Sequence, residues 1–74
     1  MKSVIKIINM KSQRDASAIQ DAVINSEGII AIQTSIKKNE ITVIYNDMYI
    51  SLEKIIDIIE DLGYITIWWL FGNI

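Results

Sequence analysis

The feature that most constrains this chain is a change of hydrophobic period that occurs twice in the same order. Val4 to Ile8 is a short β-branched run. From Ser12 to about Glu27 the apolar positions shift to helical spacing, with Ala16, Ile19, Ala22, Val23 and Ser26 on one stripe. Ile29 to Ile36 returns to a strand pattern. Lys37-Lys38-Asn39 then supplies a turn, since asparagine tolerates a left-handed backbone. Ile41, Val43 and Tyr45 alternate with Thr42 and Ile44 in a third strand, making a hairpin with the second. Ser51 is a good N-cap for a second helix whose buried stripe is Leu52, Ile55, Ile56, Ile59 and Leu62. Gly28 and Gly63 are expected to close the two helices as C′ residues. Tyr64 to Phe71 reads as a fourth strand.

Strand, helix, strand, strand, helix, strand joins two right-handed crossover units. The prediction is an α+β, ferredoxin-like βαββαβ sandwich, with a four-stranded antiparallel sheet and two helices on one face. No composition shift breaks the chain, so residues 1–74 form a single domain with an apolar, Trp-rich strand or tail at about 64–74.

Composition narrows the function. The chain has no Cys and no His, which removes disulfides, the usual general base and the strongest nucleophile. There is no Gly-rich phosphate loop. No enzymatic activity and no cofactor are expected. A net charge of −2 argues against nucleic acid, which needs clustered Lys and Arg. The apolar run ending at Phe71 is far below the ~20 residues that span a bilayer. A cytoplasmic location is expected.

Several short stretches carry a resemblance. Asn9-Met10-Lys11-Ser12-Gln13-Arg14-Asp15 lies between the first strand and helix. Gly28-Ile29 follows that helix. Ile41-x-Val43-x-Tyr45-Asn46 forms the third strand, and Ile59-Glu60-Asp61-Leu62-Gly63-Tyr64 closes the second helix. In this order the chain resembles the heavy-metal-associated (HMA) domain of copper chaperones, mercury carriers and copper-transporting ATPases. The resemblance implies that the loop at residues 10–15 faces Gly63-Tyr64. In the family a monovalent soft metal sits there between two thiolates, and the same face docks onto a partner. Met10 would lie buried under the loop and Tyr64 would cover the site. Where the family reads G-M-x-C-x-x-C, this chain has Ser12 and Asp15 at the cysteine positions.

That substitution changes the chemistry. Soft metals require polarisable thiolates, a serine hydroxyl stays protonated near neutral pH, and an isolated carboxylate suits hard ions that want six or more oxygens. No metal is therefore expected at Met10, Ser12, Asp15 and Tyr64. Ser12-x-x-Asp15 instead has the spacing of a capping box. Lys11 and Arg14 read as solvated loop residues rather than an anion site. Glu53, Asp57, Glu60 and Asp61 form an acidic stripe that reads as a solubilising face, or as a dock for a basic partner.

The run Ile65-Thr66-Ile67-Trp68-Trp69-Leu70-Phe71 holds one polar residue in seven. If Ile5, Ile7, Val43 and Tyr45 face the helices, then Val4, Ile8, Ile30 and Ile44 face the open side. An exposed apolar patch of that kind predicts association. The expected partner is another protein or a second copy, meeting the sheet face or the C-terminal strand, with Ile65, Ile67, Trp68, Trp69 and Phe71 as the interaction surface. A membrane-interface role lacks the basic flank that would support it. The reading is a non-catalytic HMA-like interaction module, linked to heavy-metal transport or its regulation. Its alternatives are a residual metal carrier using partner ligands, and an ACT-like module that binds a small regulatory molecule.

Overall fold

The structure, a computed structural model, describes residues 1–67. Its elements are β1 (Lys2–Lys6), α1 (Gln13–Ile24), β2 (Ile29–Ser35), β3 (Glu40–Tyr45) and α2 (Leu52–Asp61). The strands form an antiparallel sheet in the order β1-β3-β2. Ser3 stands opposite Val43 and Ile5 opposite Ile41, so the two-residue period turns Ile5, Ile41, Val43 and Tyr45 to one face. On that face they meet Ala16, Ile19 and Val23 of α1 and Ile55, Ile56 and Ile59 of α2 in one buried cluster with Ile7 and Met10. Both helices therefore cover the same side. Each fully buried isoleucine contributes about 1.5–3 kcal/mol of transfer free energy, the main term holding the layers together.

The helices are shorter than their apolar stripes suggest. α1 ends at Ile24 with Asn25 as C-cap, whose side-chain amide donates to the Asp21 carbonyl at 2.8 Å. Gly28 is not its C′ residue. It sits three positions past the cap, at φ +96° in the turn into β2. A Cβ there would lie 2.9 Å from Tyr49 Cβ and 3.0 Å from Ile50 Cγ2. Gly63 does follow the C-cap of α2, at φ +96°, and its N–H donates to the Glu60 carbonyl at 2.9 Å. Leu62, expected in the buried stripe, is 46% exposed because it occupies that C-cap, where the chain leaves the helix. Asn39 takes the left-handed conformation of the hairpin turn, at φ 54°.

The fourth strand differs from expectation. Among the described residues the sheet has three strands, with one isolated bridge between Ile7 and Thr66. Ile8 N–H donates to the Ile65 carbonyl at 2.9 Å, and Ile67 N–H to the Lys6 carbonyl at 3.0 Å. Pairing beside β1 starts only there because Gly63 and Tyr64 are engaged elsewhere, with the first loop. Trp68, Trp69 and Phe71 lie outside the described residues.

On the open face Ile8, Ile30 and Ile44 are exposed as expected. The register sets Ile44 between Lys2 and Ala31 and Val4 beside Thr42 and Gln33, with Lys6, Glu40 and Ser35 in the next row. Ile30 sits at a register irregularity between Ile29 and Ala31, outside these rows.

Candidate functional site

The loop between β1 and α1 is held from several directions. Beneath it, the Met10 side chain is fully buried in the core. At its end, Ser12 has an extended backbone (φ −138°, ψ 166°) and caps α1. The Asp15 N–H donates to Ser12 Oγ at 3.3 Å, and the Ser12 N–H donates back to Asp15 Oδ2 at 3.2 Å. This is the expected capping box, with aspartate in the place of the usual Glu or Gln. The same Oδ2 accepts from the Lys11 N–H at 2.9 Å.

The other carboxylate oxygen reaches across the molecule. Tyr64 OH donates to Asp15 Oδ1 at 2.7 Å, joining residues 49 positions apart. The Lys11 N–H and then the Tyr64 hydroxyl hold the Asp15 carboxyl below the usual carboxylate range. In return the bond to Asp15 pushes the Tyr64 phenol up. A negative charge is also favoured at this helix N-terminus.

Asn9 makes a second bridge. Its Oδ1 accepts from the Ile65 N–H at 2.8 Å, and its Nδ2 donates to the Gly63 carbonyl at 3.2 Å. Asn39 makes a third when its amide is assigned with the nitrogen facing the carbonyls of Ile36 (2.8 Å) and Met10 (3.0 Å), the assignment in which both its oxygen and nitrogen find partners. Asn39 was expected only as a turn residue, and neither asparagine was expected to bridge the loop. Asn9 stands where the family pattern has glycine, and a side chain at a glycine position was the signal available.

Met10, Ser12, Asp15 and Tyr64 thus come together at one end of the molecule. Ile65, 55% exposed, lies beside them, and Ile67 is half-buried. The donor set does not fit a soft metal. It contains no thiolate, and the Met10 thioether belongs to the core. Both oxygens of Asp15 already accept hydrogen bonds. Among the described residues no group of three or more His, Cys, Asp or Glu side chains could hold a metal ion.

The chain is thus a two-layer α+β domain whose first loop meets the end of its second helix through side-chain hydrogen bonds. The model of the heavy-metal-associated domain matches residues 4–64, and the chain belongs to that family. It is not an enzyme; the family is non-catalytic. Copper chaperone CopZ of Staphylococcus haemolyticus is 27% identical over 64 residues, covering 86% of this chain and 94% of its own. Copper chaperone CopZ of Staphylococcus epidermidis is 25% identical over 63 residues, 85% and 93% of the two chains. Among solved structures, a CopZ metallochaperone superposes with a TM-score of 0.87 at 22% identity, covering 90% of this chain and all of that one. Oxidized MerP from Ralstonia metallidurans CH34 superposes at 0.85 and 16% identity, covering 90% and 93%. These likenesses establish the ferredoxin-like fold of HMA domains. The chain is related to copper chaperones and transport domains, and it lacks the cysteines of their site.

Proposed function

We propose that this chain is an HMA interaction module that works without a metal of its own, in protein contacts that serve heavy-metal transport or its regulation in the cytoplasm. One observation carries this reading. The Asp15 carboxylate, held by Lys11, Ser12 and Tyr64, occupies the loop position of a ligand and fixes the loop against Gly63-Tyr64. A loop that metal would otherwise order is ordered by its own hydrogen bonds. Its docking geometry therefore does not depend on loading. Family membership favours this over a small-molecule module of the ACT kind.

The test is a Cu(I) titration against a chromophoric chelator under reducing conditions. The expected result is that the chelator keeps its metal. Stoichiometric withdrawal of Cu(I) by the protein would overturn the reading and restore the carrier function. The double variant Ser12→Cys/Asp15→Cys supplies the positive control. With a thiolate pair on the same backbone, it is expected to take one equivalent of Cu(I).

A further inference from the structure

Charge is segregated across the two layers. Four of the seven basic residues, Lys2, Lys6, Lys37 and Lys38, lie on β1 and the hairpin turn, and Glu40 is the one acid among the residues of the three strands. The outer side of α2 carries Glu53, Asp57 and Asp61, all exposed, with Lys54 alongside. The open sheet face and the outside of the helix layer are opposite sides of the same domain.

The two patterns match in length and are opposite in sign. Lys2 and Lys6 are four residues apart on a strand, a span of about 13 Å. Glu53, Asp57 and Asp61 recur one helical turn apart and span about 12 Å. Glu40 sits directly beside Lys6 in the register. A uniformly anionic ligand such as a nucleic acid or an anionic membrane would meet repulsion there. The helix face carries Lys54 among its carboxylates, a cation available to meet Glu40. Toward the hairpin the sheet face hollows into an open cavity of about 310 Å³ lined by Gln33, Thr34, Ser35, Lys38, Glu40 and Thr42.

We propose that the open sheet face of this chain receives the acidic α2 face of a second copy, stacking the domains head to tail. The proposal rests on the interaction-module reading above. Because the two surfaces lie on opposite sides, the contact is heterologous and does not close into a dimer. Exposed charge pairs carry it, so it is weak and salt-sensitive.

Sedimentation equilibrium of the whole chain tests this. At low salt the weight-average mass is expected to rise above 8.5 kDa with concentration, without levelling at a dimer. It should return to the monomer at about 1 M NaCl, where screening acts within roughly 3 Å. Lys2→Glu/Lys6→Glu on one face and Glu53→Lys/Asp57→Lys on the other are each expected to weaken association about tenfold. Circular dichroism shows whether each variant is folded, and the two lie on different elements, so one misfolded variant leaves the other to decide. A monomer at every low-salt concentration overturns the proposal. So does a mass that saturates at two copies, or association that salt and both variants leave unchanged. The Cu(I) titration separates the two readings. A monomer that still takes no Cu(I) sinks the stacking alone, and a chain that takes Cu(I) sinks the metal-free reading whatever its mass.

Discussion

The two ends of this domain solve the same problem in different ways. Each must tie a helix terminus to a loop that arrives from far along the chain. At the end holding Ser12 and Gly63, polar side chains make the joints: Asn9, Asp15, Asn39 and Tyr64 bond across gaps that the backbone leaves open. At the other end the backbone itself closes the gap. The Asn46 N–H donates to the Gly28 carbonyl at 2.8 Å, and the loop at Tyr49 and Ile50 packs onto the bare Cα of Gly28. Contact without a side chain gives close packing and no adaptability. Contact through side chains leaves a gap that substitutions can refill.

The largest predicted effect comes from breaking the tight end. Gly28→Ala forces a β-carbon into a left-handed backbone and into Tyr49 at 2.9 Å. Strain and overpacking together are expected to cost about 3 kcal/mol, read as a lower midpoint in urea unfolding. Gly63 has the same φ of +96°, yet nothing lies within 4 Å of its would-be Cβ. Gly63→Ala is expected to cost only the backbone term, about 1–2 kcal/mol. Equal losses at the two glycines would show that packing at Gly28 adds nothing, and the contrast between the ends would fall.

A smaller effect separates the two helix starts. Ser51 caps α2 through one bond, from the Lys54 N–H at 3.1 Å, and the residue at its third helical position cannot reciprocate because it is a lysine. Ser51→Ala is expected to cost about 1 kcal/mol. Ser12→Ala removes only the longer bond of its box, while Asp15 still accepts from Lys11 and Ser12 N–H groups. Its loss is expected to be about half as large, roughly 0.5 kcal/mol. A larger loss at Ser12 than at Ser51 would mean that Asp15 does not hold the helix start by itself.

What the sequence disclosed follows the range of the interaction. The capping box, the left-handed Asn39 and the C′ role of Gly63 are settled within four residues, and all were legible as local patterns. The buried faces were legible because periodicity states which side of an element is apolar. Contacts between distant residues were not. Nothing local says that Asn9 will meet Ile65, 56 positions away, or that the neighbours of Val4 and Ile44 across the sheet will be lysine, threonine and alanine. An apolar open face was read one strand at a time. Register sets the neighbours, and it stands Ile44 between Lys2 and Ala31.

The subtlest prediction tests the Asp15 carboxylate as the element that refills the open end. Its donors lower its pKa in the folded state, below the value of about 3.9 expected when unfolded. Between those two values the unfolded chain binds more protons than the folded one. The stability from these bonds is therefore complete above about pH 4 and is lost as pH falls through the folded pKa. Asp15→Asn cannot carry the charge, so the gap in urea midpoint between the natural chain and this variant should be constant from about pH 7 to 5 and shrink below about 4. The Tyr64 phenol adds a matching feature at the alkaline side. Its pKa is raised by Asp15, so its contribution is present below about pH 10 and disappears as pH rises through the folded value. Asp15→Asn should weaken that alkaline feature too, since it replaces the carboxylate whose hydrogen bond, and then whose charge, raises the phenol. If the midpoint gap were the same at pH 3 as at pH 7, the carboxylate would be holding the loop by its shape alone. The polar end would then resemble the glycine end, joined by fit rather than by charge.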